Sequence, residues 1–435
     1  MKLHSQILLS RLLTRSGDQA WDFALPITLV MLFPEKFNLI AAIFFFTKLG
    51  QFLFQPLLSG IVDRWRRSHT AYLGVLLQLL SVLVAAACLF LFTQTGHTES
   101  REFLTTLDWT LIAGITGAAI ISSLAASLMD IAVGNDWIPT LVPPEDLARV
   151  NSRMKQVDLT TEVLSPVLAG VLLGLGTSAS PLFGFSLVVL WNIASFVPEI
   201  LLLRRVFARS PVLQVGPSGV IKNKVGVIRQ TLEGWHNFWK HPSSLAMIAY
   251  AFLWLSALSP HGVLLTSFLK GGWQLSEFGL GLFRGFGAIF GLLATLLFPP
   301  VVRRLGVLKG SLAFIALQAI SVVAALPFFY SRTQDGLFFL VLILISRIGL
   351  YGFSMGEMEI RQRTIAVGQR GEINGVASAL TSFATLILYG AGTRVEDHQQ
   401  FSGMVILSVV SVCMAAGIYS YWYRKNKRTF AEIRS

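Results

Sequence analysis

Oxygen-bearing side chains recur at helical spacing near the start of the chain. Thr14, Asp18 and Asp22 are four residues apart, so on a helix all three lie roughly on one face. They fall in an apolar stretch, about residues 8–33, that is long enough to span a membrane. A charge at the bilayer centre costs about 3 kcal/mol, so a carboxylate there is a functional candidate by default. Asp18 is the foremost of these candidates.

Further oxygen-bearing side chains lie in two other apolar stretches. Asn192, Ser195 and Glu199 share one helical face in WNIASFVPE, and Gln78 lies in an earlier stretch. Carboxylate, amide and hydroxyl oxygens suit hard divalent cations, which predicts a cation site in the first half of the chain. The alternative is that these groups only form hydrogen bonds between helices, as Asn, Ser and Thr commonly do in membranes.

One histidine, His261, lies deep in an apolar stretch, between Pro260 and Gly262. Proline removes a backbone donor and glycine loosens the turn, so the helix is predicted to break there. Broken helices mark the midplane sites of transporters. A neutral imidazole binds a transition metal whereas a protonated one does not, so His261 is a candidate ligand that also couples metal release to proton uptake.

The elements that position these residues are twelve apolar stretches, each of about the length that a spanning helix needs. They lie at about 8–33, 37–62, 70–95, 107–133, 152–176, 180–204, 243–270, 277–300, 307–329, 335–360, 372–394 and 400–423. The longest connection falls after the sixth stretch and divides the spans six and six. The predicted fold class is an all-α multi-pass membrane protein with 12 transmembrane helices in two six-helix lobes, the major facilitator fold.

The predicted domain organisation follows that division. The N-terminal lobe covers 1–204, a cytosolic linker 205–242, the C-terminal lobe 243–424 and a cytosolic tail 425–435. Within the linker, VIRQTLEGWHNFWK predicts a surface helix. We expect a monomer.

Basic residues are distributed unequally between the two sides of the predicted helices. Five lie in the predicted outer loops, namely Lys36, Arg101, Lys270, Arg332 and Arg394. Most of the others, including the tail RKNKR, collect on the opposite side, so the positive-inside rule predicts that both termini are cytoplasmic. The net charge of +12 is thus explained by topology, and nucleic acid is not an expected partner. The expected location is the cell (inner) membrane.

The composition excludes several classes of protein. Only 13% of residues are charged and 54% are hydrophobic, whereas soluble proteins carry about 25% charged residues. A soluble enzyme, a disordered chain and a secreted disulfide scaffold are therefore excluded. The two cysteines, Cys88 and Cys413, lie in apolar runs and are predicted to be small hydrophobic residues. No Walker A, GxSxG, HExxH or CxxC motif is present, so we predict that the protein is not an enzyme.

Charged residues near the cytosolic ends of the predicted helices favour a gate. SGIVDRWRR (Ser59 to Arg67) has the small residue, Asp and basic cluster typical of facilitators, and FPPVVRRLG stands at the equivalent place in the second half. A further group lies near the end of the tenth stretch: Arg347, Glu357, Glu359, Arg361 and Arg363. Pairing among these residues would form a cytosolic latch.

Several stretches of the chain resemble the ferroportin family of iron exporters, in particular its bacterial members. The matching stretches are SGDQAWDFALP, NDWIPTL, RVNSRMKQVDLTTEVLSP, WNIASFVPE, LSALSPHGVLL, SRIGLYGF and RGEINGV. They run through both predicted lobes. The resemblance implies export of Fe²⁺, with Co²⁺, Zn²⁺ and Ni²⁺ as lesser substrates, in exchange for protons. It implies no prosthetic group.

The resemblance also implies site residues. The family's first metal site carries over onto Thr14, Asp18, Asn192, Ser195 and the backbone carbonyl of Phe196. The family's calcium site, which would make Ca²⁺ a regulator, carries over onto Asp18, Gln78, Asn192 and Glu199. Because both sets include Asp18 and Asn192, we expect the two cations to compete.

Two further sets of residues carry over from the family. The second metal site maps onto His261, where vertebrate members have a cysteine, and their partner ligands correspond to Thr385 and Leu388 here, so this site should be built differently. The cytosolic latch maps onto Asp63, Arg67, Lys155 and Asp158.

Two alternatives compete with metal export. A proton-coupled facilitator for a small organic molecule, such as a drug or a siderophore, would use the same acidic and aromatic cavity. An intramembrane enzyme or lipid-handling protein is the other, and the missing catalytic motifs argue against it.

Overall fold

The computed structural model describes residues 3–32, 37–94, 105–175, 182–214, 227–260, 262, 264–265, 268–269, 273, 275, 277–330, 336–392 and 401–427. These residues are mostly helical, and no β-strand occurs among them. The predicted all-α class is confirmed.

Fifteen α-helices follow one another in the described residues. They are α1 (Leu3–Leu32), α2 (Phe37–Ser59), α3 (Ile61–Arg64), α4 (Arg67–Gln94), α5 (Thr106–Met129), α6 (Ile138–Leu141), α7 (Pro144–Leu173), α8 (Phe183–Arg209), α9 (Pro211–Gln214), α10 (Val227–Lys240), α11 (Ser244–Leu253), α12 (Glu277–Tyr330), α13 (Gly336–Thr364), α14 (Arg370–Gly392) and α15 (Phe401–Asn426). A π-helical segment, Asp130–Trp137, joins α5 to α6. The predicted surface helix VIRQTLEGWHNFWK is α10.

Eight segments of the described residues are long and apolar enough to cross a membrane. One of them, Leu282–Phe329, is 48 residues long, which is enough for two crossings. Gly306 interrupts it with φ 76° and ψ 161°, between the predicted eighth and ninth spans. The protein is therefore a multi-pass membrane protein, and the count of twelve spans stays a prediction.

In the predicted seventh span, the helix ends several residues before the break that the sequence predicts. The break was predicted at Pro260 to Gly262, but α11 ends at Leu253 and residues 254–260 are non-helical. Side chains from distant parts of the chain satisfy the released backbone groups. The Ala257 N–H donates to Ser408 Oγ at 2.8 Å, and the Leu258 carbonyl accepts from Arg347 at 2.6 Å. Non-helical backbone at membrane depth is tolerated when protein groups satisfy it in this way.

The chain forms two compact units. The first comprises Met1–Leu141, Thr160–Gly234 and Val367–Ala379, and the second comprises Val142–Leu159, Trp235–Ala366 and Leu380–Ser435. Helices α7 and α14 thus contribute to both units. The predicted lobe boundaries at 204 and 243 stay a prediction.

Each unit has its own apolar core. In the first, buried side chains of α1, α4, α5 and α8 pack together around Trp21, Leu89 and Phe185. In the second, one cluster surrounds Phe353 and Tyr419. Another cluster of this unit contains an aromatic group in which the Phe268 and Phe401 rings stack at 4.3 Å between centroids.

Close packing of α13 on α12 depends on glycines in the second unit. A Cβ atom at Gly349 would lie 2.5 Å from the Gln318 nitrogen and 2.6 Å from the Phe314 carbonyl oxygen. Because these are backbone atoms, no rotamer change of a neighbour relieves the clash. Small residues that let backbones approach are the usual basis of helix packing in membranes.

We expect Gly349→Ala to destabilise the second unit by about 1–3 kcal/mol, the usual cost of overpacking. The measurement is the thermal unfolding midpoint of the detergent-solubilised protein. Gly417→Ala on α15 is the matched control, because a Cβ there has no atom within 4 Å. Equal midpoints for the two variants would contradict the packing argument.

Candidate functional site

A polar pocket lies among helices of the first unit. It is lined by α1, α4, α8 and the end of α5 with the π-helical segment, and its lining includes Thr14, Asp18, Gln78 and Glu199. Four of the residues predicted for the two cation sites therefore meet in one place, although they come from three separate helices. The pocket has room for a water molecule or a small ion.

A glycine brings α1 against α8 beside this pocket. A Cβ atom at Gly17 would lie 2.8 Å from Ser195 Oγ and 3.3 Å from Asn192 Cα. Asn192 and Ser195 thus face α1 one residue away from Asp18, although neither lines the pocket itself. Phe196 is buried on the same turn of α8. The predicted ligands of the first metal site therefore cluster along the contact between α1 and α8.

The hydrogen bonds of these residues are mostly local. Thr14 Oγ1 donates to the Ser10 carbonyl at 3.0 Å, and Ser195 Oγ donates to the Asn192 carbonyl at 2.6 Å. Gln78 Nε2 is 3.4 Å from both carboxylate oxygens of Asp18, which is the outer limit of a hydrogen bond. Asp18 is therefore only weakly compensated by this amide.

Three side-chain oxygens at this place are buried without a donor. Gln78, Asn192 and Glu199 are each 1% exposed. Gln78 Oε1, Asn192 Oδ1 and Glu199 Oε2 accept no hydrogen bond from any residue that the structure describes. A buried acceptor left unsatisfied costs about 1–3 kcal/mol, so such groups call for an explanation. All three atoms are oxygens of the kind that bind hard cations.

Sequence reasoning missed the positive charges in the pocket. Arg11 and Arg15 line it, and both pair with Asp130 of the π-helical segment. The Arg11 Nη1–Asp130 Oδ1 distance is 3.0 Å, and Arg15 Nη2 is 2.6 Å from the same oxygen. Their spacing could have indicated them: Arg11 and Arg15 are four residues apart and Arg15 precedes Asp18 by three, so on a helix all three lie close to one face.

The structure describes no richer metal cluster. Among the described residues, no group of three or more His, Cys, Asp or Glu side chains is arranged to hold a metal ion. A cation in this pocket would therefore depend on amide, hydroxyl and backbone oxygens as well as on Asp18.

The structure describes little of the predicted second metal site. His261 is outside the described residues. At the two positions that correspond to the partner ligands of vertebrate members, Thr385 Oγ1 donates to the Thr381 carbonyl at 2.9 Å, and Leu388 is buried in an apolar cluster. Leu388 therefore contributes packing and no ligand atom, as its side chain requires.

Two of the predicted latch residues belong to one polar network in the first unit. Arg67 Nε is 2.6 Å from Asp136 Oδ2, and Arg370 Nη1 is 3.1 Å from Asp136 Oδ1. Asp63 accepts hydrogen bonds from the backbone N–H groups of Gly371 at 2.9 Å and Glu372 at 2.8 Å. Asp63 therefore caps the N-terminus of α14, where the helix dipole favours an anion.

Glycines permit this contact with α14. A Cβ atom at Gly371 would lie 2.1 Å from the Ser59 carbonyl oxygen, and one at Gly375 would lie 2.5 Å from Ser59 Cβ.

Asp136 and Arg370 were not predicted as latch residues. Both stand in stretches that resemble the ferroportin family, NDWIPTL and RGEINGV, and this was the signal that could have found them.

The other predicted latch residues, Lys155 and Asp158, belong to the second unit. Lys155 Nζ lies 5.0 Å from the centre of the Tyr351 ring, a cation–π distance. One turn earlier on α7, Asn151 exchanges amide hydrogen bonds of 2.7 and 3.2 Å with Gln362 of α13.

The charged group on α13 pairs largely as predicted. Arg361 lies 2.8 Å from Glu357, and Arg363 lies 2.7 Å from Glu359, each one helical turn apart. Arg347 does not take part in these ion pairs. Its guanidinium donates to the Leu258 carbonyl, so its role is to support the non-helical segment after α11.

Comparison with known proteins decides the family. The Ferroportin1 family model matches residues 2–412. Ferreportin of Bdellovibrio bacteriovorus is 39% identical over 426 residues, covering 97% of this chain and 95% of that protein. The chain belongs to the ferroportin family. Human ferroportin is 22% identical and covers 95% of this chain and 90% of its own length.

Solved structures agree with this membership. A bacterial homologue of the iron transporter ferroportin, in an outward-facing state, matches with a TM-score of 0.88 and 38% identity, covering 98% of this chain and 100% of that one. The proton:xylose symporter XylE matches with a TM-score of 0.69 at 14% identity, covering 95% of this chain and 94% of that one, which shows the major facilitator fold alone. This member of the ferroportin family is a transporter and not an enzyme.

The contact of Asp63 with α14 should depend on pH. Burial raises the pKa of Asp63 from 3.8 to about 7, against the opposing effect of its two backbone donors, and the charges of Glu372 and Asp136 add to the rise. Between pH 3.8 and about 7, Asp63 is protonated when it is buried at the N-terminus of α14, whereas a solvated Asp63 is ionised. This arrangement is therefore favoured at low pH, and the preference is lost as the pH rises through about 7.

The measurement is hydrogen–deuterium exchange of the peptide containing Gly371 and Glu372, corrected for intrinsic rates. We expect protection at about pH 6 to exceed that at about pH 8. Asp63→Asn keeps an oxygen acceptor but does not titrate, so it should remove the difference. Protection that increases with pH would contradict the assignment.

Proposed function

We propose that this ferroportin-family transporter exports Fe²⁺ by alternating access, as a metal/proton antiporter. The observation that carries the proposal is the set of three oxygens, buried beside Asp18 among apolar helices, that accept no hydrogen bond from any described residue. The relatives support iron as the substrate, because the chain is similar to a solved bacterial homologue of the iron transporter ferroportin. Co²⁺, Zn²⁺ and Ni²⁺ are proposed as lesser substrates.

The first metal site is proposed to consist of Thr14, Asp18, Asn192, Ser195 and the Phe196 carbonyl. The packing of Asn192 and Ser195 against α1 at Gly17 supports this set, because it brings oxygens of α8 next to Asp18. Such a site has one formal charge and several neutral oxygens. It favours divalent over trivalent ions and releases them more readily than a site with several carboxylates.

Calcium is proposed to bind at an overlapping site formed by Asp18, Gln78, Asn192 and Glu199. Three of these residues line one pocket, and Gln78, Asn192 and Glu199 supply the donor-free oxygens. Two carboxylates and two amides match the oxygen preference of Ca²⁺ better than that of a transition metal. Because Asp18 and Asn192 belong to both sites, Ca²⁺ and Fe²⁺ should compete.

Proton coupling is proposed to arise from groups that bind either a metal or a proton. Asp18 does so in the first unit and His261 in the second, since each must lose its proton to bind the metal. Metal release on one side of the membrane would then accompany protonation. His261 is proposed as the main ligand of the second site.

In the first unit, the polar network of Asp63, Arg67, Asp136 and Arg370 is proposed to act as a cytosolic latch. In the second unit, Lys155 and Asp158 are proposed as latch residues. The charge-assisted bonds of the first-unit network, with Asp136 shared by two arginines, support a contact that is strong when closed. The latch, the cytoplasmic position of both termini, the inner-membrane location and a monomeric state belong to the same proposal.

Loss of Asp18 should abolish coupled transport. We expect metal-stimulated proton flux by the wild-type protein in proteoliposomes supplied with Fe²⁺ or Co²⁺, and at least about tenfold less for Asp18→Asn, which removes the charge with little change of shape. Asp146→Asn, an exposed residue at the start of α7, is the matched control and should transport normally.

Two results would count against this proposal. Wild-type rates in Asp18→Asn combined with His261→Ala would remove both site assignments. Strong inhibition by a cationic dye, together with no effect of Fe²⁺ or Co²⁺, would favour transport of an organic molecule.

A substitution of Gln78 should affect the affinity for Ca²⁺ more than the affinity for a transition metal. Gln78→Ala removes an amide that belongs to the proposed Ca²⁺ set and not to the transition-metal set. We expect it to weaken Ca²⁺ binding by about tenfold, the equivalent of one lost ligand, while Co²⁺ binding changes by less than about threefold. Isothermal titration with each ion measures both affinities. Equal losses for the two ions would contradict the division into overlapping sites.

A further inference from the structure

The ion pairs of Asp130 form a distinct group within the pocket of the first unit. Arg15 Nη2 lies 2.6 Å from Asp130 Oδ1 and 2.5 Å from Asp130 Oδ2, so one nitrogen contacts both oxygens. Arg11 Nη1 lies 3.0 Å from Oδ1. Charge-assisted hydrogen bonds thus join both arginines to Asp130, whose side chain is 41% exposed. One carboxylate therefore fixes two guanidinium groups.

Both arginines share the pocket with the carboxylates proposed to bind cations. Arg11, Arg15, Asp18, Glu199 and Asp130 all contribute to its lining. Arg15 is close enough to interact electrostatically with Asp18 and with Glu199. A guanidinium group is a permanent cation, so an arginine that moved toward Asp18 would occupy the place of a transported ion.

The charge of the pocket depends on Asp130. With all groups ionised, the three carboxylates exceed the two guanidinium groups by a single negative charge. Removal of the Asp130 charge leaves the pocket neutral, and it also removes the ion pairs that join the two arginines to the π-helical segment. A divalent ion interacts twice as strongly with each charge as a monovalent ion does, so it is the more affected.

The position of the arginines on α1 makes the restraint necessary. Arg11 and Arg15 are one helical turn apart, and like charges at this spacing repel each other. Arg15 also stands three residues before Asp18, on nearly the same face of the helix. A π-helical segment widens the helix locally and is frequent at functional sites. Here it carries Asp130 into the pocket opposite α1.

We propose that Asp130 is a positioning residue that holds Arg15 and Arg11 in place and thereby sets the affinity of the pocket for divalent cations. This inference rests on the proposed cation site at Asp18. It concerns residues outside the proposed ligand sets. In this account Arg15 would compete with the cation for Asp18, and its ion pair with Asp130 prevents this.

The test is titration of the purified full-length protein with Co²⁺ by isothermal calorimetry. The Co²⁺ binding that Asp18→Asn removes belongs to the pocket, and only this component is compared. We expect Asp130→Asn to weaken it by about tenfold, because the pocket loses its net charge. Asp130→Glu, which keeps the charge, should stay within about threefold of the wild type.

Rescue separates positioning from a general structural role. In Asp130→Asn combined with Arg15→Gln the unrestrained competitor is gone, so affinity should return to within about threefold of the wild type. A fold defect caused by Asp130→Asn would not be repaired by a second loss of an ion-pair partner. Asp146→Asn, with the same change of charge at an exposed position, should bind Co²⁺ as the wild type does.

The outcomes distinguish this inference from the proposed function. If Asp130→Asn binds Co²⁺ like the wild type, or if Arg15→Gln fails to restore binding, the positioning role is overturned while the cation site stands. If the wild type has no Co²⁺ binding that Asp18→Asn removes, the proposed site fails and the inference fails with it.

Discussion

Oxygen atoms buried at membrane depth need a positive partner, and the site in the first unit is organised around this need. In hydrocarbon neither water nor a mobile loop can supply it. Gln78, Asn192 and Glu199 each bury an oxygen without a donor among the described residues, and the hydrogen bond from Gln78 to Asp18 is long. Such a cluster is costly unless something binds it. A transported divalent ion explains the cost and the arrangement together.

The same need accounts for the neighbouring charges. Each fixed cation near Asp18 would satisfy the oxygens permanently and close the site to a substrate. Arg15 is close enough to Asp18 to interact with it, and Asp130 forms ion pairs with both Arg15 and Arg11. The ion pairs on Asp136 satisfy charges in the same way, but at a separate place that involves the start of α14. The proposed function therefore assigns cation binding and the Asp136 part of the latch to different groups of the first unit.

The sequence could predict those features that depend on neighbouring residues, namely the helices and the residues that share a helical face. Apolar length predicted the helices, and helical spacing placed Thr14 and Asp18 on one face, where the pocket confirms that both lie. The pairings Arg15–Asp130 and Arg370–Asp136 join residues 115 and 234 positions apart, and no periodicity encodes them. The seventh span unwinds before Pro260 because Ser408 and Arg347 satisfy its backbone from distant helices. Family resemblance supplied the ligand sets, which residue types alone left open.

The most direct test of the central claim is an anomalous difference map from crystals of the full chain soaked with Co²⁺, recorded at the cobalt edge. The account predicts a peak within coordination distance, about 2–2.5 Å, of oxygens from Asp18 and Asn192. That peak should be absent in Asp18→Asn crystals treated identically. Cobalt bound at other places, with none at the α1–α8 contact, would contradict the account.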